Sequence, residues 1–280
     1  MTGLVLLTGA AGFVGRQVLR ALSERGCSVR AVVREGTQCQ LEGVTGIESI
    51  VTTRDLFAEE SAWHLDVCRG VDTVIHAAWY VEPQTYLQSA KNLDCLMGTL
   101  RLAICAAQAR VRRFVGIGTC FEYDLTAGTL SIQTPLRPLT PYAGAKAAAF
   151  MALSQWLPAQ AVEFTWCRLF YLYGEGENAR RLVPYLRAKL MAGETAELTS
   201  GKQIRDYLDV GEAGRMIAAT ACGTKQGPVN ICSGIPITVR QLAEQIADKY
   251  GRRDLLRFGA RPENLVDPPY VVGVKCELSP

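Results

Sequence analysis

Leu4-Val5-Leu6-Leu7-Thr8-Gly9-Ala10-Ala11-Gly12-Phe13-Val14-Gly15 is the stretch that decides the fold of this 280-residue chain. The apolar run 4–7 reads as a buried strand, and residues 15–25 read as a helix with Val18, Leu19 and Leu22 on one face. Between them, Gly9 permits a tight turn, Gly12 lets the backbone approach a pyrophosphate, and Gly15 allows close packing of helix on strand. The helix start, at Phe13 and Val14, adds free N–H groups and a positive dipole for the phosphates. A glycine trio alone is only a turn. Between a strand and a helix it predicts a dinucleotide loop.

Outward from that loop the pattern repeats. Residues 29–33, 46–51, 73–75 and 113–118 read as further strands, with a long helix over 91–109. A helix over 142–157 and a strand over 163–169 follow. Apolar strands alternating with helices predict an α/β fold, a doubly wound parallel (Rossmann) sheet covered on both faces. Beyond Tyr173 the elements shorten and prolines recur at 184, 228, 236, 262, 268 and 269. We therefore expect a dinucleotide domain over 1–173, with a later return of the chain near 208–235. Residues 174–280 should form mainly a smaller α/β substrate lobe, lean enough to leave its pocket relatively open.

Composition narrows the class. Hydrophobic residues make up 49% and charged residues 20%, ordinary for a globular chain that buries a sizeable core. A net charge of +3, spread as isolated basic pairs, argues against nucleic acid and against an anionic membrane. The uncharged first fifteen residues lack a basic start and are broken by glycines, which argues against a signal peptide. No clean apolar stretch reaches eighteen residues. Ten scattered cysteines without a C-x-x-C pair, and only His64 and His76, fit free thiols in a reducing cytoplasm better than disulfides or zinc. No metal is expected.

At the end of the second strand an acidic residue would accept from a ribose 2′-OH, whereas an arginine suits a 2′-phosphate. Here Arg34 comes first and Glu35 follows. We favour Arg34 as a 2′-phosphate contact, hence NADP(H), with NAD(H) as the alternative.

Two Tyr-x-x-x-Lys pairs occur, Tyr142/Lys146 and Tyr185/Lys189, each placing its side chains on one helix face. Context separates them. Tyr142 follows Thr140-Pro141 at a helix start, after a strand ending in Gly118-Thr119, within the sheet region where crevices form at strand ends. Tyr185 lies past the change in pattern and reads as a surface pair. A free phenol titrates near pH 10, and an ammonium one turn away stabilises the phenolate. Thr119, Tyr142 and Lys146 are thus the candidate catalytic residues.

With these residues in place, the chain resembles the extended short-chain dehydrogenase/reductase family, the nucleotide-sugar epimerase/dehydratase/reductase group. Thr8 to Gly15 is similar to its TGxxGxxG loop. Asp55-Leu56 resembles the pair that contacts adenine, and His76-Ala77-Ala78 its HxA segment, with Ala77 and Ala78 against the cofactor. Asn92 resembles its helix asparagine. Residues 168–174 (RLFYLYG) resemble R-x-x-N-x-Y-G with Tyr171 in place of asparagine. Residues 203–210 (QIRDYLDV) are similar to a segment whose arginine, here Arg205, binds the substrate diphosphate, and Arg261 resembles a second such arginine. The resemblance implies a nucleotide-diphosphate sugar substrate, NAD(P), and a homodimer paired through the helices that begin near 91 and 142.

Departures from the family pattern narrow the reaction. Dehydratases of this group carry Thr-Asp-Glu for the elimination. Here the run is Thr119-Cys120-Phe121, without those carboxylates. The 3,5-epimerase-reductases keep a cysteine where Phe121 stands, and Cys120 reads as a packed thiol. A 4-keto reduction and a 4-epimerisation by transient oxidation remain. Arg34 favours reduction of the 4-keto group of a nucleotide-activated 6-deoxy sugar. A non-catalytic dinucleotide sensor, or a reductase of a substrate without a nucleotide, are lesser alternatives.

Overall fold

Leu4–Thr8 (β1) is buried from its second residue on, and successive side chains serve opposite faces of a sheet. Val5 and Leu7 enter one apolar core and Leu6 the other. That double burial is why the strand is continuously apolar. The computed structural model describes residues 3–263 and 268–276.

In chain order β1 is followed by Phe13–Glu24 (α1), Val29–Arg34 (β2), Ile47–Thr53 (β3), Ser61–Cys68 (α2), Val71–His76 (β4), Lys91–Gln108 (α3), Arg113–Thr119 (β5) and Thr129–Leu130 (β6). Then come Pro141–Ala159 (α4), Glu163–Leu169 (β7), Tyr171–Tyr173 (β8), Leu182–Met191 (α5), Ala196–Leu198 (β9) and Ile204–Asp209 (β10). Val210–Cys222 (α6), Gly227–Ile231 (β11), Pro236–Thr238 (β12), Val239–Asp248 (α7), Leu256–Phe258 (β13) and Tyr270–Gly273 (β14) complete the elements.

Seven strands form one sheet in the order β11-β7-β5-β4-β1-β2-β3, every neighbouring pair parallel. From β1 the chain winds one way to β3 and then the other way through β4 to β11. The reversal lies between β1 and β4, and a crevice opens at the C-terminal ends of strands at such a point. Helices α1 and α6 cover one face, and α2, α3 and α4 the other. This is the doubly wound sheet that the alternation of elements predicts. The chain returns to it late, through α6 and β11.

The remaining strands form two small sheets, β12-β10-β14-β6 with β8 on β10, and β13-β9. A separate apolar cluster joins α5, α7 and β9. Another, containing Cys120, Tyr123, Phe170, Cys232 and Val271, packs the turn after β5 against these outer strands. Among the described residues, no helix is long and apolar enough to cross a membrane.

Most boundaries fall within two residues of those read from the sequence. Within the dinucleotide region the helix α2 has no counterpart there, nor do the short strands β6 and β8, and the elements after Tyr173 were read only as a group. The eight residues of α2, SAWHLDVC, carry no apolar stripe, because the inward positions include His64, Val67 and Cys68.

His64 and His76 are both buried. Burial pushes His64 down to about 4 and His76 down to about 3, so both are neutral in the folded protein at pH 7. A histidine with a depressed folded value contributes stability above its unfolded value of about 6.5 and loses it as pH falls below that. The share of stability that comes from the histidines should therefore be flat above about pH 6.5 and decline towards pH 4, by on the order of 2–3 kcal/mol for His64 alone. His64→Leu should remove that share of the decline in urea titrations at several pH values. An unchanged acid slope would contradict the assignment.

Candidate functional site

The crevice begins with the glycine loop. Gly9 has φ +70°, a left-handed conformation, and a Cβ there would lie 2.8 Å from the Ala78 backbone nitrogen. At Gly15 a Cβ would lie 2.0 Å from the Gly9 carbonyl oxygen, so α1 can approach the loop this closely only with glycine. Gly12 is the N-cap of α1 and makes no side-chain cap bond, and no acidic residue occupies the first turn. The N–H groups of Phe13, Val14 and Gly15 and the helix dipole thus face the crevice mouth without a side-chain anion.

Beneath the loop, β1 and β4 are locked through His76. Thr99 Oγ1 donates to the Cys95 carbonyl (2.7 Å), so it accepts from His76 Nε2 (2.9 Å). His76 is therefore the Nε2–H tautomer, and its Nδ1 accepts from Thr8 Oγ1 (2.8 Å). Ala77 N–H donates to the Thr8 carbonyl (3.3 Å), and Ala78 N–H to Thr8 Oγ1 (3.3 Å). The segment resembling HxA is thereby fixed against the glycine loop.

Arg34 is exposed at the end of β2, in register with Thr53 at the end of β3. Glu35 is paired with Arg54 (Nε to Oε2 3.2 Å). The carboxylate beside Arg34 thus has a cation of its own. Arg54 was not singled out by sequence reasoning; its one signal was a basic residue directly before Asp55. Asp55 Oδ1 accepts from Phe57 N–H (3.0 Å), and Leu56 is buried below it.

Thr119 ends β5, and Tyr142 and Lys146 stand in the first turns of α4. Thr140 caps that helix (Ala143 N–H to Oγ1, 3.2 Å), and Pro141 occupies its first position. The Tyr142 backbone N–H donates to the Leu87 carbonyl (3.2 Å), and the Thr119 side chain is a neighbour of its hydroxyl that favours the phenolate. Lys146 Nζ donates to the Ile117 carbonyl (2.5 Å) and lies 3.6 Å from the centre of the Trp79 ring. Trp79 is held in turn by Asn92, which accepts from its indole N–H (2.9 Å) and donates to the Tyr86 carbonyl (2.6 Å). The Tyr86 ring meets Tyr142 edge-on (4.9 Å), and the Arg181 charge opposes the upward push of burial on its phenol. The three residues that the sequence brings forward are thus brought together, within an aromatic wall that it does not reveal.

Burial, followed by the neighbouring Tyr86, raises the Tyr142 phenol above its ordinary value. Burial also pulls Lys146 down to about 7, and the negative charge of Glu122 opposes that fall. The phenol is a proton donor across the neutral range, while the ammonium titrates within it.

The second Tyr-x-x-x-Lys pair is consumed elsewhere. The Tyr185 hydroxyl accepts from Glu197 N–H (3.1 Å), the Arg261 guanidinium lies over its ring (4.7 Å), and Lys189 pairs with Glu194 (2.5 Å). Arg205, on β10, is buried, with its guanidinium 5.2 Å from the centre of the Tyr171 ring. Tyr171 meets Phe121 edge-on (6.1 Å), which ties Arg205 to the turn that carries Thr119. Arg261 is exposed, with its guanidinium over the Tyr185 ring of α5. Cys120 is buried in an apolar cluster, and burial raises its thiol. It is a packed thiol.

Residues 5–232 match the model of the NAD dependent epimerase/dehydratase family. The chain belongs to that family. It is 23% identical over 273 residues to dTDP-6-deoxy-L-talose 4-dehydrogenase (NAD(+)) of Aggregatibacter actinomycetemcomitans, covering 97% of this chain and 99% of that one. It is 27% identical over 261 residues to dTDP-glucose 4,6-dehydratase of Streptomyces niveus, covering 88% and 77%. Its fold is that of UDP-N-acetylglucosamine 4-epimerase from Methanobrevibacter ruminantium M1, with a TM-score of 0.84, 18% identity and coverage of 98% and 90%.

If Tyr142 gives up its proton against the Lys146 charge, the rate should fall as pH rises through about 7, where the ammonium is lost while the phenol stays protonated. Lys146→Met should be slow at every pH and show no such limb in initial-rate profiles. An unchanged alkaline limb in that variant would contradict the assignment.

Proposed function

We propose that this member of the family is an NADP(H)-dependent reductase of the 4-keto group of a nucleotide-activated 6-deoxy sugar. The observation that carries the reading is the Thr119–Tyr142–Lys146 set at the strand ends, with no carboxylate available beside it for elimination. Positions 120 and 121 are cysteine and phenylalanine, and the next acid, Glu122, turns inward to Arg168 (2.7 Å). That distinguishes the chain from the 4,6-dehydratases it resembles. The talose relative is named for dehydrogenation at C4, the reverse of the proposed reduction.

The residues fit the cofactor. A Cβ would obstruct the loop at Gly9 and Gly15, and the start of α1 would hold the diphosphate. Arg34 would meet a 2′-phosphate, with Asp55 and Leu56 beside the adenine and Ala77 and Ala78 lining the crevice. When bound, the nicotinamide supplies the hydride to C4. Tyr142 gives its proton to the carbonyl oxygen, Thr119 orients that oxygen by hydrogen bonding, and Lys146 stabilises the phenolate left behind. Arg205, and with it Arg261, would neutralise the diphosphate of the sugar nucleotide. NAD(H) is the second reading of the cofactor, favoured by the NAD(+) in the name of the talose relative.

We divide the chain into a dinucleotide domain, residues 1–173 with the return through α6 and β11, and a substrate lobe over the rest. We also place it in the cytoplasm, as a homodimer. All ten cysteines are free thiols, which suits a reducing compartment. Leu93, Met97 and Ile104 are exposed along one side of α3, and Met151 on the adjacent α4. A second copy would cover them. Met97→Glu with Met151→Glu should turn a dimer into a monomer in sedimentation experiments; a monomeric wild type would refute the pairing.

Tyr142→Phe should lower turnover by about 10²–10⁴-fold while leaving NADPH binding, followed by fluorescence, unchanged. Arg34→Ala should weaken NADPH by about tenfold or more and NADH little, as expected for one lost charge-assisted contact. Turnover like the wild type in Tyr142→Phe would refute the mechanism. Equal effects on both cofactors in Arg34→Ala would return the choice to NAD.

A further inference from the structure

We propose that Glu122 is a positioning residue for the proton transfer, a buried carboxylate that fixes the backbone of Thr119 and stands as the negative charge behind the Tyr142–Lys146 pair. The inference rests on the reductase reading and assigns it a further residue.

Glu122 lies in the short turn after β5 and is wholly buried. Its Oε1 accepts from the Thr119 backbone N–H (2.8 Å), while Thr119 Oγ1 accepts from Phe121 N–H (3.3 Å). This reciprocal cap holds Thr119 from both sides and so sets the direction of the hydroxyl that meets Tyr142. The carboxylate also accepts from the Trp166 indole N–H (3.0 and 3.1 Å) and from Arg168 Nε (2.7 Å). Room for it is built into β5, because a Cβ at Gly118 would lie 2.4 Å from Oε1.

Stability alone does not account for the pair. A buried ion pair is often no better than apolar side chains of the same volume, because both charges lose their hydration. The field of Glu122 does reach the site. The groups facing Lys146 are Tyr142 on its own helix, Cys95 from α3, His76 from β4 and Glu122 from the turn after β5. Burial keeps the phenol, the thiol and the imidazole uncharged at neutral pH. That leaves Glu122 as the carboxylate among them, and its charge raises Lys146 against the effect of burial. Arg168 offsets it from the far side, held against the rings of Phe150 and Tyr123.

Glu122→Gln keeps the shape and the acceptor for Thr119 N–H but removes the charge. Its kcat should fall about tenfold or more with the sugar KM nearly unchanged, and the alkaline limb should move down by about 0.5–1 pH unit. Because that variant strands the Arg168 cation, Glu122→Val with Arg168→Met provides the control that removes both charges together. The double variant should fold and show a kcat loss in the same direction and a smaller downward shift of the limb, since the offsetting Arg168 charge is gone too. Wild-type kcat and limb in the folded double variant would overturn the proposal. A readout without substrate comes from lysine side-chain NMR, in which the resonance missing from Lys146→Met is titrated. Its midpoint should be near 7 in the wild type and lower in the double variant, and equal midpoints would also overturn the role. If the wild type turns over no nucleotide sugar, the reductase reading fails, and the NMR titration still decides the hold of Glu122 on Lys146.

Discussion

Lys146 is an ammonium placed where water hardly reaches it, and the arrangement around the crevice can be understood from that placement. An ion buried without compensation costs several kcal/mol, so the surroundings must replace its hydration. They do so with three different partners. The Ile117 carbonyl takes one N–H, the face of Trp79 supplies a quadrupole, and Glu122 supplies charge from behind. The compensation is incomplete, which is why Lys146 is pulled down to about 7. An ammonium with unspent electrostatic demand is suited to stabilising a phenolate one helical turn away.

The fold makes this burial possible. Ile117 and Thr119 lie on the interior strand β5, Lys146 and Tyr142 on the helix that covers it, and Trp79 in the segment after β4. Each part belongs to a rigid element of the parallel sheet or follows one directly. The His76 links to Thr8 and Thr99 hold β1, β4 and α3 together directly beneath the crevice. The glycine loop and the Thr119–Tyr142–Lys146 group are thus supported by a single layer of packing, with the crevice between them.

Much of this was legible in the sequence because it is written in local patterns. Apolar runs bounded by glycines marked the strands, and Tyr142 was separated from Tyr185 by the Thr140-Pro141 helix start. The structure agrees, with Tyr185 occupied by Arg261 and the Glu197 backbone. What was not legible depends on contacts across the chain. Glu122 and Arg168 are 46 residues apart and have no shared motif. In sequence, the region after Thr119 signalled only that two dehydratase carboxylates were missing. The pairing of Glu35 with Arg54 joins the ends of two strands. Trp79 and Tyr86 belong to an irregular segment without periodicity, and α2 has polar residues on its buried side. Local chemistry was readable, whereas its electrostatic support was not.

The central claim is that Tyr142 and Lys146 complete a net reduction at C4 of a nucleotide sugar. The most direct measurement offers nucleotide-linked 4-keto-6-deoxy sugars together with NADPH carrying deuterium at nicotinamide C4, and follows the product by NMR and mass spectrometry. The account predicts one equivalent of NADPH consumed per sugar and one deuterium fixed at the sugar C4. A 4-keto sugar left unreduced with no NADPH consumed, while the corresponding 4-hydroxy sugar is inverted at C4 without net consumption of cofactor, would contradict it.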